Sequence, residues 1–302
     1  MSASSSIPSA GLPRGRGRAL LLVALAYALA TAGAWWALSL TSGASTLVAV
    51  LAADVAATLV VFGFSRAFGN SSFYDPYWSI APAAIALYLH LSANLTEGVA
   101  VRKWLALSVV LFWGARLTLN WLRSWPGLSH EDWRYVAMRA QFGRAYWPIS
   151  LLGIHLFPTA CTFAGCLPLF AIMTSARPVG ALDLLGAGVA LAGGVIEAIA
   201  DEQLRSFRGR SEGGAVCDVG LWRTSRHPNY FGECTFWLGL WIMGAAAAPS
   251  QAWYSSAGVL TIVALFVFYS IPVAERRALQ RRPEFAQQIA RVSALIPWPR
   301  RD

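Results

Sequence analysis

The stretch Gly220-Leu221-Trp222-Arg223-Thr224-Ser225-Arg226-His227-Pro228-Asn229-Tyr230-Phe231-Gly232-Glu233 lies between two long apolar runs, 182–200 and 232–248. It crowds polar residues into an otherwise apolar chain. Placed there, it must lie at a membrane surface or line a cavity. Asp201-Glu202-Gln203-Leu204-Arg205-Ser206-Phe207-Arg208, just upstream, is also charged. Together the two stretches form the dense polar constellation of the C-terminal half.

The rest of the composition agrees with a membrane setting. Of the 302 residues, 56% are hydrophobic and 13% charged, against about 25% charged in soluble domains. Mean hydropathy is +0.50. The expected fold is all-α, a polytopic transmembrane bundle. The net charge of +9 is spread over loops between apolar runs, so no basic domain exists to hold nucleic acid. Cys161 and Cys166 fall inside an apolar run and read as small core residues. The four cysteines show no metal spacing and imply no disulfide.

Eight apolar runs are expected to form seven to eight spans: 19–40, 44–64, 79–95, 104–121, 147–173, 182–200, 232–248 and 253–271. Residues 1–18 read as a disordered basic tail. A polar knot, Asn70-Ser71-Ser72-Phe73-Tyr74-Asp75-Pro76-Tyr77-Trp78, precedes the third run, and a wet segment fills 122–146. Pro158 and Pro168 are expected to kink the fifth run. With eight spans, twenty of the 24 Lys and Arg fall on the side shared by the termini. Arg102, Lys103 and Arg177 fall on the other, and Arg116 lies inside the fourth run. That asymmetry predicts cytoplasmic termini and puts every polar cluster on the cytoplasmic face.

Pro228 suits the first turn of a helix, which leaves His227 extended and puts Asn229 and Tyr230 in that turn. A helix start attracts phosphate. Arg205, Arg208, Arg210, Arg223 and Arg226 precede it, and guanidinium groups pair bidentately with phosphate. Asp201 and Glu202 suit a ribose hydroxyl or an adenine amine, or orient the arginines. His227 could donate to a phosphate or cap the loop. The ligand described is a nucleotide cofactor; the alternative is a set of ordinary positive-inside anchors. Arg226, Asn229 and Glu233, at a helix start, favour the first reading.

These residues carry a resemblance. Ser225-Arg226-His227-Pro228-Asn229-Tyr230-Phe231-Gly232-Glu233, after Gly220-Leu221-Trp222, resembles the signature of the steroid 5-alpha-reductase superfamily, in particular its prokaryotic branch. It is also similar to the matching stretch of sterol C14 and C7 reductases. Asp201-x-x-Leu204-Arg205-x-x-Arg208 resembles the upstream element of that superfamily, and Ala294-Leu295-Ile296-Pro297-Trp298 its closing motif. Asn70–Trp78 and Leu128-x-His130-Glu131-Asp132-Trp133-Arg134 are similar to the prokaryotic branch alone. The resemblance implies an NADPH-dependent reductase of a carbon–carbon double bond conjugated to a carbonyl. It puts the cofactor half at 179–302 and the substrate half at 19–178. Positions matching Asp201, Leu204, Arg208 and Asn229 would contact the cofactor. Glu275, with Arg276, stands where the steroid enzymes hold the cofactor with other residues. Those enzymes polarise the ketone with a Glu–Tyr pair that is not recognisable in this sequence; Trp113 falls where their tyrosine would be.

The expected chemistry is hydride transfer to the β-carbon of an enone, with an acid polarising the carbonyl. Asp75, kept protonated by burial, could be that acid, as could Tyr74 or Tyr77. Asp75-Pro76 also fits a helix cap, and the tyrosines fit a membrane interface. His130-Glu131-Asp132 reads as a solvated turn or a salt-bridged lid, with no metal site. Asp54 and Glu197 lie inside spans and require partners, for which Arg116 and Asn120 are candidates. His90 and His155 read as packed residues. The glycines at 186, 188, 193 and 194 read as close helix packing. The expected partners are the bilayer and an apolar enone. The rival reading is a membrane methyltransferase of the isoprenylcysteine or phospholipid type, in which Arg226–Gly232 and Glu275 would serve S-adenosylmethionine.

Overall fold

The structure, a computed structural model, describes residues 15–92, 99–210 and 215–300. It is helical, with no strand among the described residues. The helices are α1 (Arg16–Leu40), α2 (Thr46–Ala67), α3 (Tyr77–Ser92), α4 (Ala100–Ser124), α5 (Trp133–Phe142), α6 (Tyr146–Ser150), α7 (Phe157–Thr174), α8 (Ala181–Arg210), α9 (Pro228–Ala247), α10 (Ala252–Leu265), α11 (Ile271–Arg281) and α12 (Phe285–Arg291). Among the described residues, six helical segments are long and apolar enough to cross a membrane.

All eight expected runs are helical. The two outside that six are α3, with 16 residues, and α9, whose first turns hold Asn229 and Glu233. A span needs about 20 apolar residues. Three boundaries differ from expectation. α1 begins at Arg16, so only 1–14 of the expected tail lie outside the described residues. Residues 93–95 of the third run lie outside them too. The wet segment holds α5, which continues through α6 into one helical segment, Trp133–Thr174. Asp132 starts it by accepting from the Arg134 N–H at 2.9 Å.

Contacts divide the chain into two units, 1–81 with 121–160 and 82–120 with 161–302. This cuts across the expected division at 178/179. In the first unit, α1 turns Ala19, Val23, Ala26 and Ala30 inward, three or four residues apart. They pack with Val61, Phe73, Tyr74, Tyr77, Trp125 and Leu128. Glu131 accepts from Arg139 at 3.0 Å and from the Ser71 N–H at 2.7 Å. Asn70 donates to the Leu128 and His130 carbonyls. The His130-Glu131-Asp132 element is therefore a salt-bridged brace on the polar knot. Pro158 follows a π-helical turn, Leu151–Leu156, and Pro272 follows another, Phe266–Ser270. A proline lacks the N–H that would close the preceding turn, and a π turn absorbs the mismatch.

The second unit is built on α8 against α9. A Cβ on Gly193 would lie 2.4 Å from the Phe236 nitrogen, and one on Gly239 would lie 2.2 Å from the Ala190 nitrogen. Only hydrogen fits at those crossings, so the two backbones touch. That contact fixes how residues of α8 and of the opening turns of α9 face each other.

Candidate functional site

The polar stretch is folded onto α8. Gly220, at φ +54°, opens a 3₁₀ turn, and Leu221 N–H donates to the Gln203 side chain at 2.9 Å. A Cβ on Gly220 would strike that side chain. Trp222 Nε1 donates to the Ala200 carbonyl at 2.9 Å. Pro228 then starts α9, as expected, and His227 before it is non-helical but not extended, at φ −136° and ψ 59°.

Arg226 and His227 meet Glu275 of α11. Arg226 Nε donates to Glu275 Oε1 at 2.6 Å, and His227 Nε2 lies 3.2 Å from the same oxygen. Arg226 Nη1 donates to the Ile289 and Val292 carbonyls. This arginine ties the start of α9 to the C-terminal segment. The His227 ring stacks on Tyr230 at 5.1 Å, and Tyr230 stacks on Phe266 at 4.6 Å. The Asn229 amide oxygen is shut away from solvent without a hydrogen-bond partner. Arg208 is exposed and has no hydrogen bond or ion pair among the described residues. Arg205 is exposed and paired with Glu202. Leu204 packs with Ala200, Cys217 and Trp222.

A second group of polar side chains lies deeper, carried at helical spacing by α4, α8 and α9. Both oxygens of buried Glu233 accept indole N–H groups, from Trp113 at 3.0 Å and Trp237 at 2.9 Å. Asp201 accepts from Arg116 and Asn120, each at 2.9 Å. Arg116 Nη2 lies 2.6 Å from Glu197 Oε2, yet neither atom has hydrogen-bond geometry, and Arg116 Nε has no acceptor. Arg116 thus faces Glu197, as expected, while Asn120 donates to Asp201 and Asp54 takes Tyr77 in place of either. The indoles on Glu233 were not foreseen, because a tryptophan in an apolar run reads as packing.

The expected catalytic residues are in the first unit. Tyr74 and Tyr77 stack at 5.0 Å. The Tyr74 hydroxyl meets Thr159 at 2.7 Å. The Tyr77 hydroxyl donates to Asp54 Oδ1 at 2.7 Å, and Asp54 Oδ2 is buried without a partner. This acid–tyrosine pair escaped the sequence reading, since its members are 23 residues apart on different helices. Asp75 points elsewhere: its Oδ1 accepts the Tyr135 hydroxyl at 2.9 Å. Burial, reinforced by Asp132, pushes the Asp75 carboxyl up to about 7, against the lowering effect of Tyr135 and Arg134. His155 is buried between Ser65 and the Ser150 carbonyl. His90 packs on Trp104. The cysteines are free, and no group of metal-binding residues occurs among the described residues.

An uncharacterised protein of Schizosaccharomyces pombe, C594.04c, is 26% identical over 263 residues, covering 79% of this chain and 76% of that protein. No solved structure matches the chain. Residues 61–292, which hold the α4, α8 and α9 polar groups and all of the polar knot, match one family along their whole length. The chain therefore belongs to the family described as protein of unknown function (DUF1295).

Proposed function

We propose that this integral membrane protein is an NADPH-dependent reductase of a carbon–carbon double bond conjugated to a carbonyl, acting on a lipid or steroid-like substrate. The resemblance of the Ser225–Glu233 signature to steroid 5-alpha-reductases brings the reading. The Asn229 amide oxygen is the observation that supports it best. A buried acceptor left unpaired costs about 1–3 kcal/mol, and a ligand N–H or O–H at the first turn of α9 would remove that cost. Arg208, exposed and near Asp201 without a hydrogen bond or ion pair among the described residues, would meet a phosphate. Asp201, Leu204, Arg205, His227 and Tyr230 complete the proposed contacts. Arg226, Glu233 and Glu275 are engaged by protein partners, so their share is to hold the site in shape.

NADPH would supply the hydride when bound. The chain's own share is to hold a proton against the substrate carbonyl. Tyr74, whose hydroxyl can accept from Thr159 and keep its own proton for the substrate, is a candidate for the hydrogen-bond donor. Tyr77 becomes one when Asp54 is protonated and donates to it, since its own proton otherwise goes to Asp54. Asp75 is a third, since a carboxyl titrating near 7 keeps its proton about half the time at neutral pH. Its folded value is raised, so its stabilising contribution is full below about pH 4 and disappears as pH rises through about 7. Unfolding of the wild type should therefore occur at lower temperature at pH 8 than at pH 5, with a shallower slope in Asp75→Asn. Both termini are proposed to be cytoplasmic. Burial of Arg102 and Lys103, two of the three basic residues on the opposite side, leaves the loop asymmetry stronger than the raw count.

The test is a titration of the detergent-solubilised protein with NADPH, NADH and S-adenosylmethionine, read as thermal stabilisation. NADPH should stabilise the wild type, and Asn229→Ala and Arg208→Ala should each weaken it. Stabilisation by the methyl donor alone would replace the reductase reading with the methyltransferase one.

A further inference from the structure

A cavity of about 340 Å³ is lined by Arg226, residues 289–294, Trp298 and Pro299. Its size is at the lower end for small-molecule sites, about 300–1,000 Å³. Its walls are held in place. Arg226 N–H donates to the Ser293 carbonyl at 2.8 Å, and Trp298 N–H to the Thr224 carbonyl at 2.9 Å. Ser225 Oγ donates to the Leu295 carbonyl at 2.7 Å, and Gln288 Nε2 to the Cys217 carbonyl at 2.8 Å. Phe285 and Val292 are buried under the same segment. The cavity is thus preformed, with little ordering left for a ligand to impose.

Its chemistry is lopsided. No acidic residue lines it. The charge of Arg226 is already met by Glu275. Arg291 is exposed and has no hydrogen bond or ion pair among the described residues. The Trp298 side chain is largely exposed, at 64%. An unengaged guanidinium beside an exposed indole suits a phosphate carried on a flat ring.

We propose that this cavity is an organophosphate subsite that takes the adenosine end of the dinucleotide, with Arg291 pairing with the 2′-phosphate and Trp298 stacking on the base. The assignment rests on the NADPH reading and goes beyond it by naming Trp298 as the platform for the base and Arg291 as the residue that separates NADPH from NADH. None of them belongs to the Asp201–Glu233 set. A lipid headgroup carries the same phosphate chemistry and is the competing source.

The experiment uses the full chain in nanodiscs and measures affinity for NADPH, NADH and 2′,5′-ADP. Arg291→Ala should weaken NADPH and 2′,5′-ADP by about tenfold, the loss of one charge-assisted contact, and leave NADH unchanged. Arg291→Lys should recover part of that loss. Trp298→Leu should weaken all three ligands. If the wild type binds NADPH and the Arg291 and Trp298 variants bind it equally well, the subsite is overturned and the cofactor reading stands. If 2′,5′-ADP binds through Arg291 while NADPH does not bind, the subsite stands and the cofactor reading falls. If Arg291→Ala removes only a stabilisation seen in phosphatidylglycerol nanodiscs and absent in phosphatidylcholine ones, the ligand is a lipid headgroup and the nucleotide assignment is overturned.

Discussion

Helices α4 and α8 are bridged twice by an arginine and acidic residues, and the two bridges are built to different standards. Arg102 and Asp183 sit near the starts of the two helices, and Arg116 and Glu197 sit 14 residues further along each, about 21 Å away. The register is the same: 81 residues separate Arg102 from Asp183 and Asn120 from Asp201. At the first bridge every donor is used. Arg102 Nε and Nη2 grip the two Asp183 oxygens at 2.6 and 3.1 Å, and the guanidinium also reaches the Arg177 and Pro178 carbonyls. At the second, one arginine faces two acids and leaves Nε without an acceptor. A saturated pair holds helices in register. An unsaturated one has bonding capacity left over, as a site that must rearrange or bind would.

The largest expected effect is at the saturated bridge. Arg102→Ala strands Asp183 and two carbonyls, and should lower stability by about 3–5 kcal/mol, read from thermal unfolding in detergent. Arg116→Ala should cost less, about 1–3 kcal/mol, because fewer bonds with good geometry are lost. If the proposed cofactor site is correct, it should also weaken NADPH binding, through displacement of Asp201. Equal losses of stability in the two variants would break the contrast. Glu233→Gln sharpens it further. The amide nitrogen would face one indole N–H, so unfolding should shift by about 1–2 kcal/mol with the helix pair intact by circular dichroism. The smallest effect belongs to Arg205→Ala, whose pair with Glu202 lies exposed at the surface. No change in unfolding temperature is expected.

How much of this was legible depends on how far apart the interacting residues are in sequence. Pro228 marked a helix start because proline's missing N–H and fixed φ act on its own turn. The eight apolar runs were legible because hydropathy accumulates along a continuous segment. Asn229 stood out as polar residue type at that start, but that its oxygen is buried and unpaired depends on neighbours the sequence does not name. Asp54 and Tyr77 read separately as an intramembrane acid and an interfacial aromatic; their hydrogen bond exists because α2 and α3 meet. Arg226 read as a phosphate ligand from its place among arginines, whereas its bonds go to Glu275 and two carbonyls near the C-terminus.

The sequence by itself determined a helical membrane protein, the positions of its helices and the residue types crowded at the start of α9. These follow from local rules: the hydropathy of a segment, the spacing along a helix and the geometry of proline. Only the tertiary structure decided which charges saturate each other and which keep spare capacity. Arg102 and Arg116 are the same residue type on the same helix, four turns apart, and differ only in the partners that α8 and the loop before it bring within about 3 Å. Hydrogen bonding is short-ranged and directional, so it is settled by helix placement. The glycine contacts of α8 and α9 fix that placement where Glu197 and Asp201 of α8 face Glu233 of α9.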